Sequence, residues 1–471
     1  MINKLILPFV VLAFGQAATA QNWQDIPGTY QVPKDSLVRQ KLSKWQDKKF
    51  GLFMHWGPYS QWGVTESWTI CPGDETTRTG PYSANYFEYK KAYENLQTTF
   101  NPVKFNPQKW AAAAKEAGMG YVVFTTKHHD GFCMFDSKQT DYKITSTKTP
   151  FSVNPKSNIA KEIFSAFRND GFMIGAYFSK PDWHNENFWW LYFPPKDHNV
   201  NYSPAKFPDR WKKFQDFTYN QIEELMTDYG SIDLLWLDGG WVRPSSIPND
   251  PLNQDINMPL IAKMGRSHQP GLIVVDRTVT GAYENYTTPE QEVPDKPLPY
   301  PWETCMTMGT QWSYKPNDTY KSSKDLIQIL IKVVSRGGNF LLNVGPDASG
   351  DWDPVVYNRL KDIGGWMKIN GEGINGSVPV APYSTGNIYF TKSKTHEKVY
   401  AFWLFDKDTA NLPANISLPV NIIKQPKKVH LLGYPKKLKW LYKNGNVTIQ
   451  IPVSLQNSNM LKYSDAFVLE Y

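Results

Sequence analysis

The sequence predicts an α/β protein in which a (β/α)8-like barrel is followed by a C-terminal all-β sandwich. Short apolar segments alternate with amphipathic helical segments between residues 50 and 368. This alternation is typical of repeated βαβ units and a mainly parallel sheet. After Gly376 the helical periodicity ends and short alternating strands begin. At 471 residues, the chain is long enough for both parts.

The first twenty residues have the organisation of a secretory signal peptide. Lys4 supplies a positive charge, residues 5–14 form an apolar stretch, and residues 18–20 (Ala-Thr-Ala) offer a cleavage site before Gln21. The apolar stretch is too short to span a membrane, and no later segment of the sequence qualifies. We therefore expect a secreted or periplasmic protein. Its predicted parts are a signal peptide at 1–20, a barrel domain at 21–376 and a sandwich domain at 377–471.

Composition argues against several classes of function. The formal net charge is only +7, and the basic residues form no cluster or helix-long stripe of the kind that binds nucleic acid. Cys71, Cys133 and Cys305 are far apart and lack CxxC spacing, so neither a disulfide framework nor a structural zinc site is expected. Aromatic residues make up 15% of the chain, including 18 Trp. Because aromatic rings stack on the apolar faces of sugars, this excess favours a carbohydrate ligand.

Seven apolar segments are predicted to form the strands of the barrel. An eighth strand is not evident, so the predicted barrel is irregular, and residues 279–301 read as a polar loop. No strand is followed by G-x-G-x-x-G, which argues against a dinucleotide-binding domain. The predicted strands are residues 50–57, 121–127, 172–179, 233–238, 272–277, 301–306 and 339–346.

Polar side chains end five of these strands. They are His55, the pair His128 and His129, Tyr177, Asp238 and Arg277. In a barrel of this class the carboxyl ends of the strands form one rim, where active sites lie. Each residue alone also has a structural explanation, since a strand-end Asp caps helices and a strand-end His makes ordinary hydrogen bonds. Five polar ends on one rim favour a catalytic site.

The residue types at this rim favour chemistry by two carboxyl groups. Successive strand residues point to opposite sides, so His128 and His129 are not expected to bind one metal ion together if the strand stays regular through them, and no metal or cofactor is predicted. A Ser nucleophile would need a G-x-S-x-G elbow, which the sequence lacks. Asp238 is then the natural nucleophile, kept ionised by the histidines and Arg277. The acid would come from the segment 279–303, which offers Glu284, Glu290, Glu292 and Glu303.

Four motifs carry a resemblance to a known enzyme family. They are residues 55–60 (HWGPYS), 126–132 (TKHHDGF), 235–239 (LWLDG) and 337–346 (GGNFLLNVGP). In this order they resemble the motifs of the α-L-fucosidases of glycoside hydrolase family 29, and the resemblance covers roughly residues 35–375. It implies a (β/α)8-like catalytic domain with a C-terminal β-sandwich. It also implies retaining hydrolysis of terminal α-linked L-fucose through a covalent fucosyl-enzyme.

The resemblance further implies roles for individual residues. Asp238 matches the family's nucleophile, and Glu290 lies in a segment similar to the one that carries the acid/base, with Glu303 as the second candidate. Glu66 and Trp68 resemble a Glu-Trp pair of the family, although Ser67 separates them here. The residues expected to bind fucose are His55, Glu66, Trp68, His128, His129, Tyr177, Trp236, Arg277 and Trp312.

The substrate implied by the resemblance is a fucosylated glycan. We favour α-1,3/1,4-linked fucose on Lewis-type glycans, with residues 285–290 and the Trp-rich loop at 183–192 on the aglycone side. We interpret the C-terminal sandwich as structural support rather than as a carbohydrate-binding module. Two alternatives remain, namely a catalytically inactive fucose-binding protein on the same scaffold and a metal-dependent barrel hydrolase. The sequence carries no signature of an oligomeric state.

Overall fold

The computed structural model describes residues 30–73, 78–248, 250–405, 412–418, 425–456 and 463–471. The predicted signal peptide at 1–20 lies outside these ranges and stays a prediction. Within them, no helix combines the length and the apolar character needed to cross a membrane.

Seven parallel strands form the central sheet, in which the strands, counted along the chain, lie side by side in the order fifth, fourth, third, second, first, seventh and sixth. Nearly every strand residue is buried, whichever side of the sheet it faces. Continuous apolar runs predict this, because both faces of a parallel sheet are covered. All seven predicted strands are confirmed. They are β1 Phe50–Met54, β2 Tyr121–Lys127, β3 Met173–Ser179, β4 Leu234–Asp238, β5 Ile273–Asp276, β6 Glu303–Thr307 and β7 Asn339–Val344.

Helices connect these strands as the alternating pattern predicts, except between β5 and β6, where the described residues contain no helix. One of them was not predicted, because the sequence between residues 57 and 106 reads as an aromatic loop. In that segment Asn85 caps a helix whose Tyr89 and Tyr93, one turn apart, are fully buried. The eight long helices are α1 Ser36–Lys48, α2 Tyr86–Glu94, α3 Pro107–Glu116, α4 Ile159–Asn169, α5 Pro208–Asp228, α6 Met258–His268, α7 Ser323–Ser335 and α8 Pro354–Asn370.

An irregular segment at residues 284–291 occupies the gap between β5 and β6. Glu284 forms a β-bridge with Val275 of β5, and Glu290 forms one with Cys305 of β6. The backbone N–H of Gln291 donates to the carbonyl of Cys305 at 2.9 Å. The loop predicted for residues 279–301 is confirmed in that it contains no strand, but residues 284–291, called the eighth stave below, bridge both neighbouring strands, antiparallel to β5 and parallel to β6. Its pairing is intermittent, which explains why no strand pattern marks it.

The barrel interior holds its own apolar cluster, separate from the cluster between strands and helices. Tyr286 from the eighth stave is fully buried in it and stacks on Trp45 of α1, with ring centroids 4.0 Å apart. The stave is thus fixed by packing as well as by backbone bridges. Other residues of this inner cluster are Leu42, Phe53, Tyr121, Val123, Tyr177, Leu234, Trp236, Ile273, Val275, Cys305 and Leu341.

The C-terminal part consists of a five-stranded and a three-stranded antiparallel sheet. The two sheets share an apolar core, which confirms the predicted β-sandwich. Three strands were not predicted. One carries two prolines and lies at the edge of the larger sheet, where a missing N–H is tolerated, and another alternates only between exposed and half-buried residues. The strands are β8 Val378–Thr385, β9 Ile388–Lys392, β10 Lys398–Leu404, β11 Asn415–Leu418, β12 Lys428–Leu431, β13 Lys439–Lys443, β14 Asn446–Gln450 and β15 Ser464–Glu470.

The outer face of the larger sheet packs against the barrel helices. Phe402 of β10 and Val468 of β15 belong to the same apolar cluster as the barrel. The indole N–H of Trp366 in α8 donates to the carbonyl of Ser464 at 2.7 Å. This continuous apolar contact supports the interpretation of the sandwich as a structural element.

Candidate active site

Strand alternation aims the strand-end side chains into the mouth of the barrel. On β4, Trp236 lies in the inner cluster and Asp238 follows two residues later. On β5, Val275 lies in the same cluster and Arg277 follows two residues later. Because residues i and i+2 of a strand share one face, both polar side chains continue the inward-facing rows. The sequence prediction that these ends meet is supported by their direct contacts.

Asp238 is held by three hydrogen bonds. The hydroxyl of Tyr177 donates to Oδ2 at 2.8 Å, while Nη1 of Arg277 and the backbone N–H of Gly239 donate to Oδ1 at 3.1 and 2.8 Å. Nε2 of His129 lies 3.8 Å from Oδ2. Gly239 has φ of 86°, and a Cβ there would lie 2.3 Å from Cδ of Pro181, so only glycine fits beside the carboxylate.

These contacts decide the charge of Asp238. Burial raises its pKa and is the largest single effect. The positive charge of Arg277, His129 in its protonated form and the hydrogen bond from Tyr177 each lower the pKa, and together they outweigh burial. The pKa of Asp238 therefore lies well below its usual range, and the group is a carboxylate at any pH at which an enzyme works.

Arg277 connects Asp238 to a second carboxylate. Its Nη1 contacts Asp238, and its Nη2 forms an ion pair with Oε2 of Glu290. The side chains of Asp238, Arg277 and Glu290 are 15%, 13% and 25% exposed, so all three are reachable from solvent. One guanidinium thus brings together the predicted nucleophile and the predicted acid/base.

Three imidazoles line the site beside Asp238. The ring centroids of His55 and His128 are 5.7 Å apart, and those of His128 and His129 are 4.3 Å apart. Tyr177 stacks on His128 with an interplanar angle of 2°. Burial lowers the pKa of His55 and of His129 to about 4, and that of His128 well below its usual value. All three rings are consequently neutral at pH 7.

The chain does not stay a regular strand through the two adjacent histidines. β2 ends at Lys127, and its pairing with β3 shifts register between Thr125 and Lys127. One ligand atom from each of His128, His129 and Asp238 lies within 4.8 Å of the others. The regular strand on which the separation of the two histidines depended is therefore absent at this point. The three side chains have a spacing at which a metal ion could be held.

Aromatic side chains surround the histidines. Trp312 lies 5.1 Å from the ring of His55, and Trp68 meets the ring of His129 edge-on at 5.2 Å. Trp241, which was not predicted, lies 5.3 Å from His129 on the same side. Trp68 and Trp312 are partly exposed, as residues that touch a sugar must be.

Glu66 lies in the wall of the site with its carboxylate turned towards the backbone. Its Oε1 accepts from the N–H of Ser313 at 2.7 Å, and the residue is only 1% exposed. Burial raises its pKa to about 8, against the lowering effect of the hydrogen bonds from Ser313. The charge of Glu290 raises it further. Glu66 is thus close to the site, although its direct contact with a substrate stays a prediction.

Trp236 lies beneath Tyr177, at the bottom of the site and not in its side wall. The two rings stack at 5.4 Å, and Trp236 is 1% exposed. Its indole N–H donates to Oε1 of Glu303 at 3.2 Å, and the hydroxyl of Tyr121 donates to Oε2 of Glu303 at 2.7 Å. Glu303 is fully buried, and burial raises its pKa to about 7. Glu303 therefore lies in the barrel interior, below the aromatic floor.

Several polar residues that hold the site were missed at the sequence level. Ser67, Ser179 and Asn343 each contact Nδ1 of one histidine. Asn343 lies in the motif at residues 337–346, which was recognised from the sequence. Ser179 is the last residue of β3, two residues after the predicted site residue Tyr177. For Ser67 the sequence offered a single indication, namely that this residue separates the two members of the Glu-Trp pair.

Two family models match the chain. The model described as Alpha-L-fucosidase matches residues 17–372, and the one described as Alpha-L-fucosidase C-terminal domain matches residues 382–470. The chain belongs to the α-L-fucosidase family. The assignment to the α-L-fucosidases of glycoside hydrolase family 29, made from four motifs, is confirmed.

Relatives of the chain are similar over most of their length. The α-L-fucosidase of Dictyostelium discoideum is 29% identical over 418 residues, which cover 85% of this chain and 84% of that protein. The plasma α-L-fucosidase of Homo sapiens is 27% identical over 437 residues, 89% of this chain and 87% of that protein. The solved α-L-fucosidase isoenzyme 1 from Paenibacillus thiaminolyticus superimposes with a TM-score of 0.74 at 29% identity, covering 92% of this chain and 99% of that one. This likeness confirms the barrel followed by β-sheets.

Proposed function

We propose that the protein is an exo-acting, retaining α-L-fucosidase in which Asp238 and Glu290 perform the chemistry. Asp238 attacks the anomeric carbon of a terminal α-linked fucose, while Glu290 gives a proton to the departing glycosidic oxygen. Glu290 then takes a proton from water, which attacks the fucosyl–Asp238 ester. Two inversions give net retention and release L-fucose. The observation that carries this proposal is the pairing of both carboxylates with one guanidinium, that of Arg277.

The surroundings of Asp238 support its role as the nucleophile. A nucleophilic carboxylate must be ionised and accessible. Its side chain is 15% exposed, and Arg277 and Tyr177, together with His129 when that ring is protonated, keep its pKa low despite burial. The three neutral histidines offer hydrogen bonds to sugar hydroxyls. Because they are uncharged, they form no ion pair with the carboxylate of Asp238.

The position of Glu290 supports it over Glu303 as the acid/base. Glu290 is 25% exposed and contacts the same guanidinium as Asp238. Glu303 is fully buried and bonded to Tyr121 and Trp236, so no leaving group reaches it. An acid in an ion pair has no proton to give, so the contact between Arg277 and Glu290 must open when the substrate binds.

We further propose a fucosylated glycan of the Lewis type as the substrate of a secreted or periplasmic enzyme. Glu290 is part of the eighth stave, so the aglycone lies near that segment. On the other side, the loop at 183–192 begins with Trp183, whose ring is 5.1 Å from His129, and ends at Leu191 and Tyr192, which are 78% and 75% exposed. Exposed apolar side chains on the same loop as Trp183 suit a second sugar. The division into domains at 376/377 is proposed as well.

Azide rescue tests the assignment of both carboxyl groups. Turnover of an aryl α-L-fucoside and a Lewis-type trisaccharide is measured for wild type, Asp238→Ala, Glu290→Ala and, as a matched control, Glu303→Gln. We expect Asp238→Ala to be nearly inactive and to give β-fucosyl azide with azide, and Glu290→Ala to give α-fucosyl azide. Normal turnover by Glu290→Ala together with an inactive Glu303→Gln would move the acid/base role to Glu303. The ratio of the two wild-type activities tests the linkage class.

The cluster of His128, His129 and Asp238 favours one alternative, a metal-dependent hydrolase. The residues match a mixed imidazole–carboxylate site. Wild-type turnover before and after exhaustive treatment with a chelator distinguishes the two. Unchanged turnover agrees with the carboxylate mechanism, whereas loss that added Zn²⁺ restores would favour the metal. Absence of any fucose release would instead favour a fucose-binding protein.

A further inference from the structure

Each of the three histidines of the site has its Nδ1 atom fixed by a hydrogen bond. The partner of His55 is Oδ1 of Asn343 at 2.7 Å, and the partners of His128 and His129 are hydroxyl groups of serines, at 2.5 and 2.6 Å. A neutral imidazole carries one N–H and one lone pair. If Nδ1 carries the proton, Nε2 is an acceptor, and if Nδ1 carries the lone pair, Nε2 is a donor. Each partner residue makes a second hydrogen bond elsewhere, and the direction of that bond shows which of the two cases applies.

His55 carries its proton on Nδ1. The side-chain amide nitrogen of Asn343 donates to the carbonyl of Trp312 at 2.6 Å, and a carbonyl can only accept. The amide oxygen must then be the atom that faces His55, at 2.7 Å. An amide oxygen also only accepts, so Nδ1 of His55 donates to it. Nε2 of His55 is left with a lone pair.

His129 carries its proton on Nδ1 for a similar reason. Its partner, the hydroxyl of Ser179, donates to the carbonyl of Pro181 at 2.7 Å. That bond uses the single hydroxyl proton of Ser179, so the 2.6 Å contact with His129 needs the imidazole as donor. Nε2 of His129 is therefore also an acceptor, and it is the atom 3.8 Å from Asp238.

His128 has the opposite arrangement. The hydroxyl oxygen of Ser67 accepts the backbone N–H of Asp130 at 2.9 Å. Ser67 is fully buried, and a buried hydroxyl proton without an acceptor is costly. Among the described hydrogen bonds, the remaining partner of this hydroxyl is Nδ1 of His128 at 2.5 Å. Ser67 thus donates to Nδ1, and the proton of the neutral imidazole lies on Nε2.

We propose that Ser67 is a positioning residue that holds His128 in the Nε2–H form, so that His128 donates to the substrate while His55 and His129 accept from it. The proposal rests on the proposed function, because the bound group is taken to be a polyhydroxy sugar. A sugar hydroxyl both donates and accepts hydrogen bonds. A site that offers both donors and acceptors therefore fixes the direction in which each hydroxyl proton points. Ser67, the residue that interrupts the Glu-Trp pair, then has a role in recognition.

This arrangement also bears on metal binding. A metal ligand needs a free lone pair on nitrogen. In the arrangement set by Ser67, the lone pair of His128 on Nδ1 is engaged by the hydroxyl, and Nε2 carries a proton. His128 therefore has no lone pair to give, and the cluster with His129 and Asp238 is reduced to two ligands.

Nitrogen NMR of the protein with ¹⁵N-labelled histidine rings tests the proposal. Long-range correlations distinguish the two tautomers, and the chain has 8 histidines, of which those in the site are assigned by single substitution to Gln. In the wild type without ligand at pH 7, we expect Nδ1–H for His55 and His129 and Nε2–H for His128. An Nδ1–H signal for His128, or a charged ring, would overturn the proposal whatever the protein hydrolyses.

Substitutions of Ser67 test the link to the substrate. In Ser67→Ala we expect His128 to lose its single tautomer and the inhibition constant of L-fucose to rise about tenfold, the loss of roughly one hydrogen bond. Ser67→Thr keeps the hydroxyl and should restore both the tautomer and the inhibition constant. The control Ser377→Ala removes a buried hydroxyl that bonds the carbonyl of Ile374, and it should change neither.

The two readouts separate the two hypotheses. If the wild type shows the expected tautomers but does not bind L-fucose, the proposed function fails and the assignment of Ser67 to His128 stands. If L-fucose binds but Ser67→Ala leaves both the tautomer and the inhibition constant unchanged, the positioning role of Ser67 is refuted. If Ser67→Ala does not fold, the wild-type spectrum still decides the tautomers.

Discussion

The charge of Asp238 is set by opposing effects of burial and of groups that lie within a few ångströms of its carboxyl group. Burial favours the protonated acid, and Arg277, His129 and Tyr177 favour the carboxylate. The guanidinium is the largest of the favourable contributions, and it is only 3.1 Å from Oδ1. The activity of the enzyme should therefore depend on this positive charge in a pH-dependent way.

Replacing Arg277 should change the acidic limb of the pH–rate profile. In Arg277→Met the pKa of Asp238 rises, because burial is no longer opposed by the guanidinium. A pKa raised by about 1–3 pH units brings the protonation of Asp238 into the measurable range, so kcat/KM should fall on acidification at a pH at which the wild type keeps its full value. Arg277→Lys retains the charge and should retain the wild-type limb. Identical limbs in both variants and the wild type would contradict the role given to Arg277.

The strand-end residues were predictable because strand periodicity and barrel topology determine where they point. His55, Asp238 and Arg277 each follow an apolar run, and their convergence needs no knowledge of side-chain partners. Ser67 and Ser179 were not predictable, since their function depends on which nitrogen of a distant histidine they meet. Periodicity carries no information about such contacts.

At the scale of elements, the stave at 284–291 sets the position of Glu290. Backbone bridges to Val275 and Cys305 hold the stave at both ends, and Tyr286 anchors its middle in the barrel interior. A loop without these contacts would let Glu290 move. The proposed acid/base is therefore positioned by the contacts of this segment with β5 and β6.

Weakening the anchor of the stave should reduce activity as well as stability. Tyr286→Leu removes the stacking on Trp45 and should lower the free energy of unfolding by about 1–3 kcal/mol. Because Glu290 moves with the stave, kcat/KM should fall by about 10–100-fold. The matched control is Phe167→Leu, a fully buried aromatic on α4 away from the site, which should lose stability but keep kcat/KM. Urea unfolding and steady-state kinetics of both variants make the comparison, and normal kcat/KM in Tyr286→Leu would contradict the account.

The regular strands and helices were predicted closely, but the eighth stave was not. A parallel strand with both faces buried is a continuous apolar run, whereas 284–291 contains Glu284 and Glu290 and pairs only in places. Its course is determined by the strands on either side of it. A segment whose structure depends on tertiary contacts leaves little local pattern.

At the scale of the whole molecule, the protein buries carboxyl groups that prefer to be protonated. Burial raises the pKa of Glu66 to about 8, and those of Asp130, Glu284 and Glu303 to about 7. A carboxyl group whose pKa is raised on folding binds its proton more tightly in the folded state. Its contribution to stability is complete below the unfolded pKa and is lost as the pH rises through the folded pKa.

Glu303→Gln tests this pH dependence at one group. The pKa of Glu303 rises from 4.5 to about 7, so its contribution, on the order of 3 kcal/mol, should disappear between these pH values. Glutamine does not titrate. The melting temperature of the wild type, measured against that of Glu303→Gln, should therefore decline between pH 5 and pH 8. The exposed Glu186→Gln serves as control, and a constant difference between wild type and Glu303→Gln would refute the prediction.

The central claim, that Asp238 forms a covalent bond to fucose, can be tested by trapping. The wild-type enzyme is incubated with 2-fluoro-fucosyl fluoride, in which the fluorine at C2 slows hydrolysis of the glycosyl-enzyme, and is then digested for peptide mass spectrometry. We expect one fluorofucosyl adduct, on Asp238. An adduct on another carboxylate, or none from an enzyme that hydrolyses aryl α-L-fucoside normally, would contradict it.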